Sequence, residues 1–262
     1  MSDSDVRGRF VWHELMTTHP DAAQGFYTKV VGWGRQTDEG LSTPYTMWTW
    51  GQQPMGGLMA LPEQARKAGA PPHWLTYVGT PAIDATVEQA TRLGAKTIVP
   101  TTDIPTVGRF AILADPQGAV FAAFTPATSP AQDERAGLGD FSWHELMTTD
   151  HASAFQFYST LFGWQKTEAM DMGPMGIYQM YGHHGRTLGG MFNKPATMPA
   201  PPHWLAYIRV ENVHRAAETA KSLGGQVLNG PMEVPGGDWI VQCLDPQGAA
   251  FALHHVKSQA GS

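Results

Sequence analysis

The chain of 262 residues is one unit written twice, and that duplication limits its possible folds more than any other feature. Phe10-Val-Trp-His-Glu-Leu-Met-Thr-Thr18 returns as Phe141-Ser-Trp-His-Glu-Leu-Met-Thr-Thr149, identical at eight of nine positions. Phe26-Tyr27 and Gly32-Trp33 recur as Phe157-Tyr158 and Gly163-Trp164. Pro71-Pro-His-Trp-Leu-Thr-Tyr77 recurs as Pro201-Pro-His-Trp-Leu-Ala-Tyr207, and Asp115-Pro-Gln-Gly-Ala119 as Asp245-Pro-Gln-Gly-Ala249. Chance does not produce matched blocks in one order at nearly constant spacing. The repeats are expected as two domains, residues 1–130 and 131–262, joined through the Pro-, Ser- and Gly-containing stretch Thr125–Asp140.

Within each repeat the local signals alternate between two periods. Phe10–Thr18 reads as a strand. Pro20 or Asp150 then opens a helical stretch, and Gly32 or Gly163 ends it. Strand-like pieces follow at Tyr45–Trp50 and Gly57–Leu61, or Tyr178–Tyr181 and Gly189–Phe192. After a Pro-rich loop come His73–Gly79 or His203–Val210, a second helix that Asn212 is placed to cap, and two strands flanking Asp-Pro-Gln-Gly. Each repeat therefore reads as two β-α-β-β-β modules, four in the chain.

Composition removes several function classes. A net charge of −6 with 15% charged residues does not supply the clustered Lys and Arg that nucleic acid demands. The lone Cys243 excludes an internal disulfide framework and a thiolate-rich metal site. No apolar run approaches the roughly 18 residues of a membrane span. Residues 1–7 lack the apolar core of a signal peptide, so a cytoplasmic location is expected.

The motif order resembles the vicinal oxygen chelate superfamily of glyoxalase I, extradiol dioxygenases, and fosfomycin- and bleomycin-resistance proteins. Phe-Tyr followed by Gly-Trp, Leu-Gly after the second helix (Leu-Gly-Ala in the first repeat, Leu-Gly-Gly in the second), and Asp-Pro-Gln-Gly before the last strand carry the resemblance over nearly all of residues 9–255. Within that superfamily the chain is similar to two-domain, glyoxalase-like bacterial proteins of the mycobacterial 30-kDa antigen type. The resemblance implies an α+β fold of tandem glyoxalase-like domains. Its four βαβββ modules would form two curled mixed sheets with helices outside, enclosing two cavities.

Superfamily enzymes hold a divalent metal with His, Gln or Glu at positions that can be counted from these motifs. The counts land on Trp12 and Trp143, Leu75 and Leu205, Ala122 and Ala252, and near Gly57 and Gly190. None of these side chains donates a lone pair to a cation. No metal and no cofactor is therefore expected, and glyoxalase or dioxygenase chemistry by the usual route is disfavoured. Glu14 or Glu145 together with nearby His would be the donors if an ion sat at shifted positions, although no spacing demands one.

Strand alternation places Glu14 beside Trp12 and Glu145 beside Trp143. A carboxylate in an apolar cavity is an acid–base candidate, and Glu14 and Glu145 are the candidate catalytic residues. The competing reading is a carboxylate bonded to backbone or a nearby cation. The substrate-binding candidates are Trp12, His73, Tyr77, Trp143, His203, Tyr207, Arg209 and His254. Against these stand loop-anchoring for His73 and His203, and core filling for the aromatic residues. His13 and His144, one residue from the tryptophans, read as buried structural histidines, Cys243 as inert core, and His183-His184 as a solvated loop.

Function divides three ways. The first is a metal-independent lyase- or isomerase-type enzyme acting on a small organic molecule. The second is a bleomycin-resistance-like protein that binds and sequesters its ligand without catalysis. The third is a structural or interaction protein with filled cavities. The expected partner is a small-molecule ligand, with neither nucleic acid nor membrane. The chain is expected as a monomer with intramolecular domain pairing or as a homodimer.

Overall fold

The computed structural model describes residues 6–38, 44–128 and 136–257. The first module runs β1 (Phe10–Thr17), α1 (Pro20–Val30), β2 (Gly34–Asp38), β3 (Tyr45–Trp50) and β4 (Gln53–Ala60), followed by the short α2 (Glu63–Lys67). The second is β5 (His73–Gly79), α3 (Ile83–Arg92), β6 (Lys96–Ile104), β7 (Gly108–Ala114) and β8 (Val120–Pro126). The third is β9 (Phe141–Thr148), α4 (His151–Phe162), β10 (Gln165–Asp171), a 3-10 turn, β11 (Ile177–His183) and β12 (Arg186–Asn193). The fourth is β13 (His203–Arg209), α5 (Val213–Ser222), β14 (Gln226–Glu233), β15 (Trp239–Leu244) and β16 (Ala250–His255).

The strands form two open mixed sheets of eight, in the orders β2-β3-β4-β1-β5-β8-β7-β6 and β10-β11-β12-β9-β13-β16-β15-β14. This is the tandem α+β fold of four βαβββ modules that the repeat implies. β2, β6, β10 and β14, which the sequence signals do not mark, are the four edge strands. The polar, exposed residues of β2, Gly34-Arg-Gln-Thr37, and of β10 carry little of the alternation that a half-buried strand shows.

Helix ends follow their local chemistry. Asp150 caps α4, its Oδ1 accepting from the backbone N–H groups of Ala152 at 3.0 Å and Ser153 at 3.2 Å, and Gly163 closes it with φ of 74°. Asn212 Oδ1 accepts from Arg215 N at 2.9 Å and caps α5. α1 starts with Pro20 in its first turn and has no side-chain cap.

Packing groups the modules differently from their order along the chain. One compact unit contains residues 6–12, 75–128 and 143–204 and so joins the second and third modules. The other contains residues 13–38, 44–74, 136–142 and 205–257 and joins the first and fourth. We call these the inner and outer units. Each core is aromatic. In the inner unit Tyr158, Phe121, Phe162, Trp164 and Trp204 pack together, and in the outer unit Tyr27, Phe251, Trp33, Trp48 and Trp74 do so.

One buried hydrogen-bond chain appears in both cores and accounts for most of the repeated motifs. Trp74 Nε1 donates to Tyr27 OH at 2.9 Å, which donates to Asp245 Oδ2 at 3.1 Å. Trp204 Nε1 donates to Tyr158 OH at 3.0 Å, which donates to Asp115 Oδ2 at 3.0 Å. Oδ1 of each aspartate holds its own Asp-Pro-Gln-Gly turn. Asp115 accepts there from Gln117 N and Ala119 N, and Asp245 from Gln247 N and Ala249 N. The turn, the Phe-Tyr helix and the Pro-Pro-His-Trp strand are thus tied by fully paired polar groups, the condition under which such groups can be buried. Tyr27 and Asp245 come from different repeats, and so do Tyr158 and Asp115.

Candidate functional site

In the inner unit the Trp-His-Glu motif on β9 meets Tyr178 on β11. Trp143 Nε1 donates to Tyr178 OH at 2.8 Å, and that hydroxyl donates to Glu145 Oε2 at 3.0 Å. Glu145 is 6% exposed and pairs in register with Gly190 on β12. The Tyr178 ring covers Gly190 so closely that an added Cβ there would lie 2.1 Å from a ring carbon. Phe192 stacks on Tyr178, with centroids 5.7 Å apart. Burial, and then the negative charge of Glu145, hold the Tyr178 phenol well above its ordinary pKa. At neutral pH Tyr178 is therefore a neutral donor fixing one oxygen of a carboxylate, beside an aromatic wall.

In the outer unit Glu14 is buried and pairs in register with Gly57 on β4. By the same register Tyr45 stands where Tyr178 stands in the other repeat. Tyr178 is absent from the sequence-derived candidates. Its signal was available, since the strand-like segments Tyr45–Trp50 and Tyr178–Tyr181 both begin on Tyr, but the hydroxyl's approach to Glu145 depends on the pairing of three strands.

The other candidates are held as follows. Trp12 and Trp143 are both half-buried. Tyr77 is buried against Phe110 and Phe124, each at 6.2 Å between centroids. Tyr207 OH accepts from Gln242 Nε2 at 2.7 Å. His73 Nδ1 lies 2.8 Å from Pro71 O, and His203 Nδ1 lies 2.8 Å from Pro201 O. That bond is the one a loop anchor makes, and burial lowers the pKa of His203. His254 lies between Ser142 Oγ, 2.8 Å from Nδ1, and Asp238 Oδ2, 3.1 Å from Nε2. Arg209 Nη1 donates to Ala136 O.

His13 and His144 are buried and stack on aromatic rings, His13 on Phe141 at 3.7 Å and His144 on Phe10 at 3.5 Å. Burial pushes the His144 pKa down to about 3. Cys243 is buried and its thiol pKa is pushed up to about 12. His183 does not stand in a solvated loop. It ends β11, half-buried, with Nδ1 3.1 Å from Gly163 O, while His184 occupies the following turn.

The register fixes the environment of the counted metal positions. Tyr77 pairs with Ala122 and Tyr207 with Ala252, while Gly57 and Gly190 face the two glutamates. Trp, Leu, Ala and Gly side chains supply no ligand atom, so this donor set does not fit the superfamily metal. Among the described residues no group of three or more His, Cys, Asp or Glu converges. Among them, too, no helix is long and apolar enough to cross a membrane.

Comparison with known proteins places the chain. A model of the Glyoxalase/Bleomycin resistance protein/Dioxygenase superfamily matches residues 141–253, and one of a glyoxalase-like domain matches residues 12–124. The chain belongs to this superfamily. It is 29% identical over 245 residues to a Mycobacterium tuberculosis protein named "Putative glyoxylase CFP32", covering 92% of each chain. It is 30% identical over 190 residues to the anthracycline biosynthesis protein DauV of Streptomyces sp. strain C5, covering 72% of this chain and 68% of that one. Among solved structures, 2,2',3-trihydroxybiphenyl 1,2-dioxygenase of Sphingomonas wittichii RW1 shares the fold. Its TM-score is 0.64 at 14% identity, covering 95% of this chain and 90% of that one. The Mn(II)-bound glyoxalase of Novosphingobium aromaticivorans does so with a TM-score of 0.61 at 15% identity, covering 95% and 82%.

Proposed function

We propose that this superfamily member binds a small organic molecule beside Trp143, Tyr178 and Glu145 and moves a proton on it without the superfamily metal, in a lyase- or isomerase-type reaction. The observation that carries this reading is the 3.0 Å hydrogen bond from Tyr178 to the buried Glu145, next to a tryptophan standing where a metal ligand would be. Glu145 removes a proton beside a carbonyl group and returns it at the neighbouring atom. A bound metal would contribute several kcal/mol by stabilising the enediolate, and here polar hydrogen-bond donors must take over that work. Glu14 is the corresponding group of the first repeat. The same reading has the protein act in the cytoplasm, as a monomer or homodimer, on a small molecule rather than on nucleic acid.

Methylglyoxal with glutathione is the first substrate to try. Glu145→Gln should lower kcat/KM by at least 100-fold, and the Glu14→Gln/Glu145→Gln double variant should abolish turnover, with melting temperatures within a few degrees of the wild type. Turnover that ignores both changes removes the carboxylates from the reaction. A full equivalent of Zn, Ni, Mn or Fe held by side chains in chelator-free protein overturns the metal-free reading.

A second reading, binding without catalysis, is favoured by a different observation. The Tyr178 hydroxyl is already paired as donor and acceptor, and the Tyr178–Phe192 stack offers an aromatic face. A ligand that binds with unchanged affinity to the Glu145→Gln variant, and is never converted, supports that reading instead.

A further inference from the structure

The two compact units are built from matching modules, so each serves as an internal control for the other. They differ sharply at one place. In the inner unit Arg7 lies against the end of α4, where its Nε and Nη2 donate to Leu161 O at 3.1 and 2.9 Å. The repeat puts Leu138 at the matching position of the outer unit, beside the end of α1. An aliphatic side chain cannot make those bonds, and the space between the end of α1 and the start of α5 is an open cleft of about 500 Å³.

A second exchange accompanies the first. Gly79 of the inner unit corresponds to Arg209 of the outer one. A Cβ at Gly79 would lie 2.4 Å from Val6 O, so the inner unit has no room for a side chain there. In the outer unit the Arg209 backbone is fixed at both ends by 2.8 Å hydrogen bonds, donating to Asp140 O and accepting from Gly139 N. Arg209, whose Nη1 donates to Ala136 O, is one of the residues that line the cleft, and Lys29 is another. The cleft's other charges, Arg215 and Glu211, pair with each other at 2.6 Å, which leaves the balance positive. Trp50, 38% exposed, supplies a flat aromatic wall.

We propose that this cleft is a second binding site, separate from the Glu145 site, for a small organic anion with a flat aromatic body. The anionic group pairs with Arg209 and Lys29, and the ring lies against Trp50. A guanidinium offers a planar fork of donors that matches a carboxylate, and a rigid indole face stacks on another ring. The volume falls within the range of small-molecule sites. A cationic ligand on the carbonyl end of α1, imitating Arg7, is the opposite assignment, and the net positive charge of the cleft opposes it.

The test is calorimetric titration of the full chain at low salt with 2-naphthoate and, in parallel, with 2-naphthylmethylammonium. Naphthoate should bind saturably, the ammonium should not, and added salt should weaken the naphthoate complex. Leu138→Arg rebuilds the plug of the inner unit and should weaken naphthoate binding at least tenfold, as should Arg209→Gln. Should Arg209→Gln not fold, Lys29→Gln on the exposed helix end takes its place, with a severalfold loss expected. The proposal is overturned if naphthoate does not bind, if its affinity is unchanged by Leu138→Arg, or if the ammonium binds as tightly as the carboxylate.

Discussion

A methyl group on Gly190 would lie 2.1 Å from the Tyr178 ring, and one on Gly189 would lie 1.8 Å from the backbone oxygen of His144. A ring at the end of a side chain can swing away, whereas a strand backbone cannot. Gly190→Ala is therefore expected to fold, to lose about 1–3 kcal/mol, and to release Glu145 from Tyr178. Gly189→Ala should fail to give a cooperatively melting protein, and urea unfolding of both variants checks the contrast. Titration at His144 has a definite sign. Its pKa is pushed down to about 3 in the folded protein from 6.5, so between those values the unfolded chain binds more protons and stability falls as pH falls. This contribution is complete above the unfolded value and lost progressively on acidification, at up to about 1.4 kcal/mol per pH unit. His144→Phe keeps a ring against Phe10 and should flatten the stability profile between pH 6 and pH 4. Asp115 and Asp245 act with the opposite sign, because burial raises their pKa values and acidification relieves their cost. The Glu of each Trp-His-Glu motif was legible as a candidate because strand alternation depends only on neighbours in the chain. Tyr178 was not, because its hydroxyl reaches Glu145 across strands whose register a sequence does not state.

At the scale of elements, the helices were legible and the edges of the sheets were not. Asp150 and Gly163 bracket α4 with groups whose preferences are local. α1 has instead His19 at its N-cap position, and that residue makes no side-chain cap. His19→Asp should stabilise the protein by about 0.5–1 kcal/mol, whereas Asp150→Ala should lower the melting temperature, both read by thermal unfolding at neutral pH. The four edge strands are recognised by their neighbours rather than by their own pattern. β10, Gln165-Lys-Thr-Glu-Ala-Met-Asp171, exposes most of its residues and holds its place through pairing with β11.

For the whole molecule, the repeat boundary and the packing boundary do not coincide. The inner core takes Phe121 from the first repeat and Tyr158 from the second, and the outer core takes Tyr27 and Phe251 likewise. A chain of residues 1–130 alone would therefore contain half of each core. It is expected to aggregate or to dimerise by pairing modules between copies, which light scattering on a size-exclusion column will show. A folded monomer with one cooperative transition would contradict that expectation. Tyr158→Phe should cost about 1–3 kcal/mol, since it strands the Trp204 N–H and an oxygen of Asp115 inside a core.

The sequence by itself determined the duplication, the four modules, the superfamily and which side chains stand at the counted ligand positions. Each of these is written in residue identity and spacing along one chain. Tertiary structure alone decided which modules share a core, which hydroxyl orients Glu145, and that Arg7 reaches the end of α4 in one unit while a cleft opens beside the end of α1 in the other. Those outcomes depend on side chains far apart in sequence competing for the same volume and the same hydrogen-bond partners, and close packing resolves that competition only when the chain is folded.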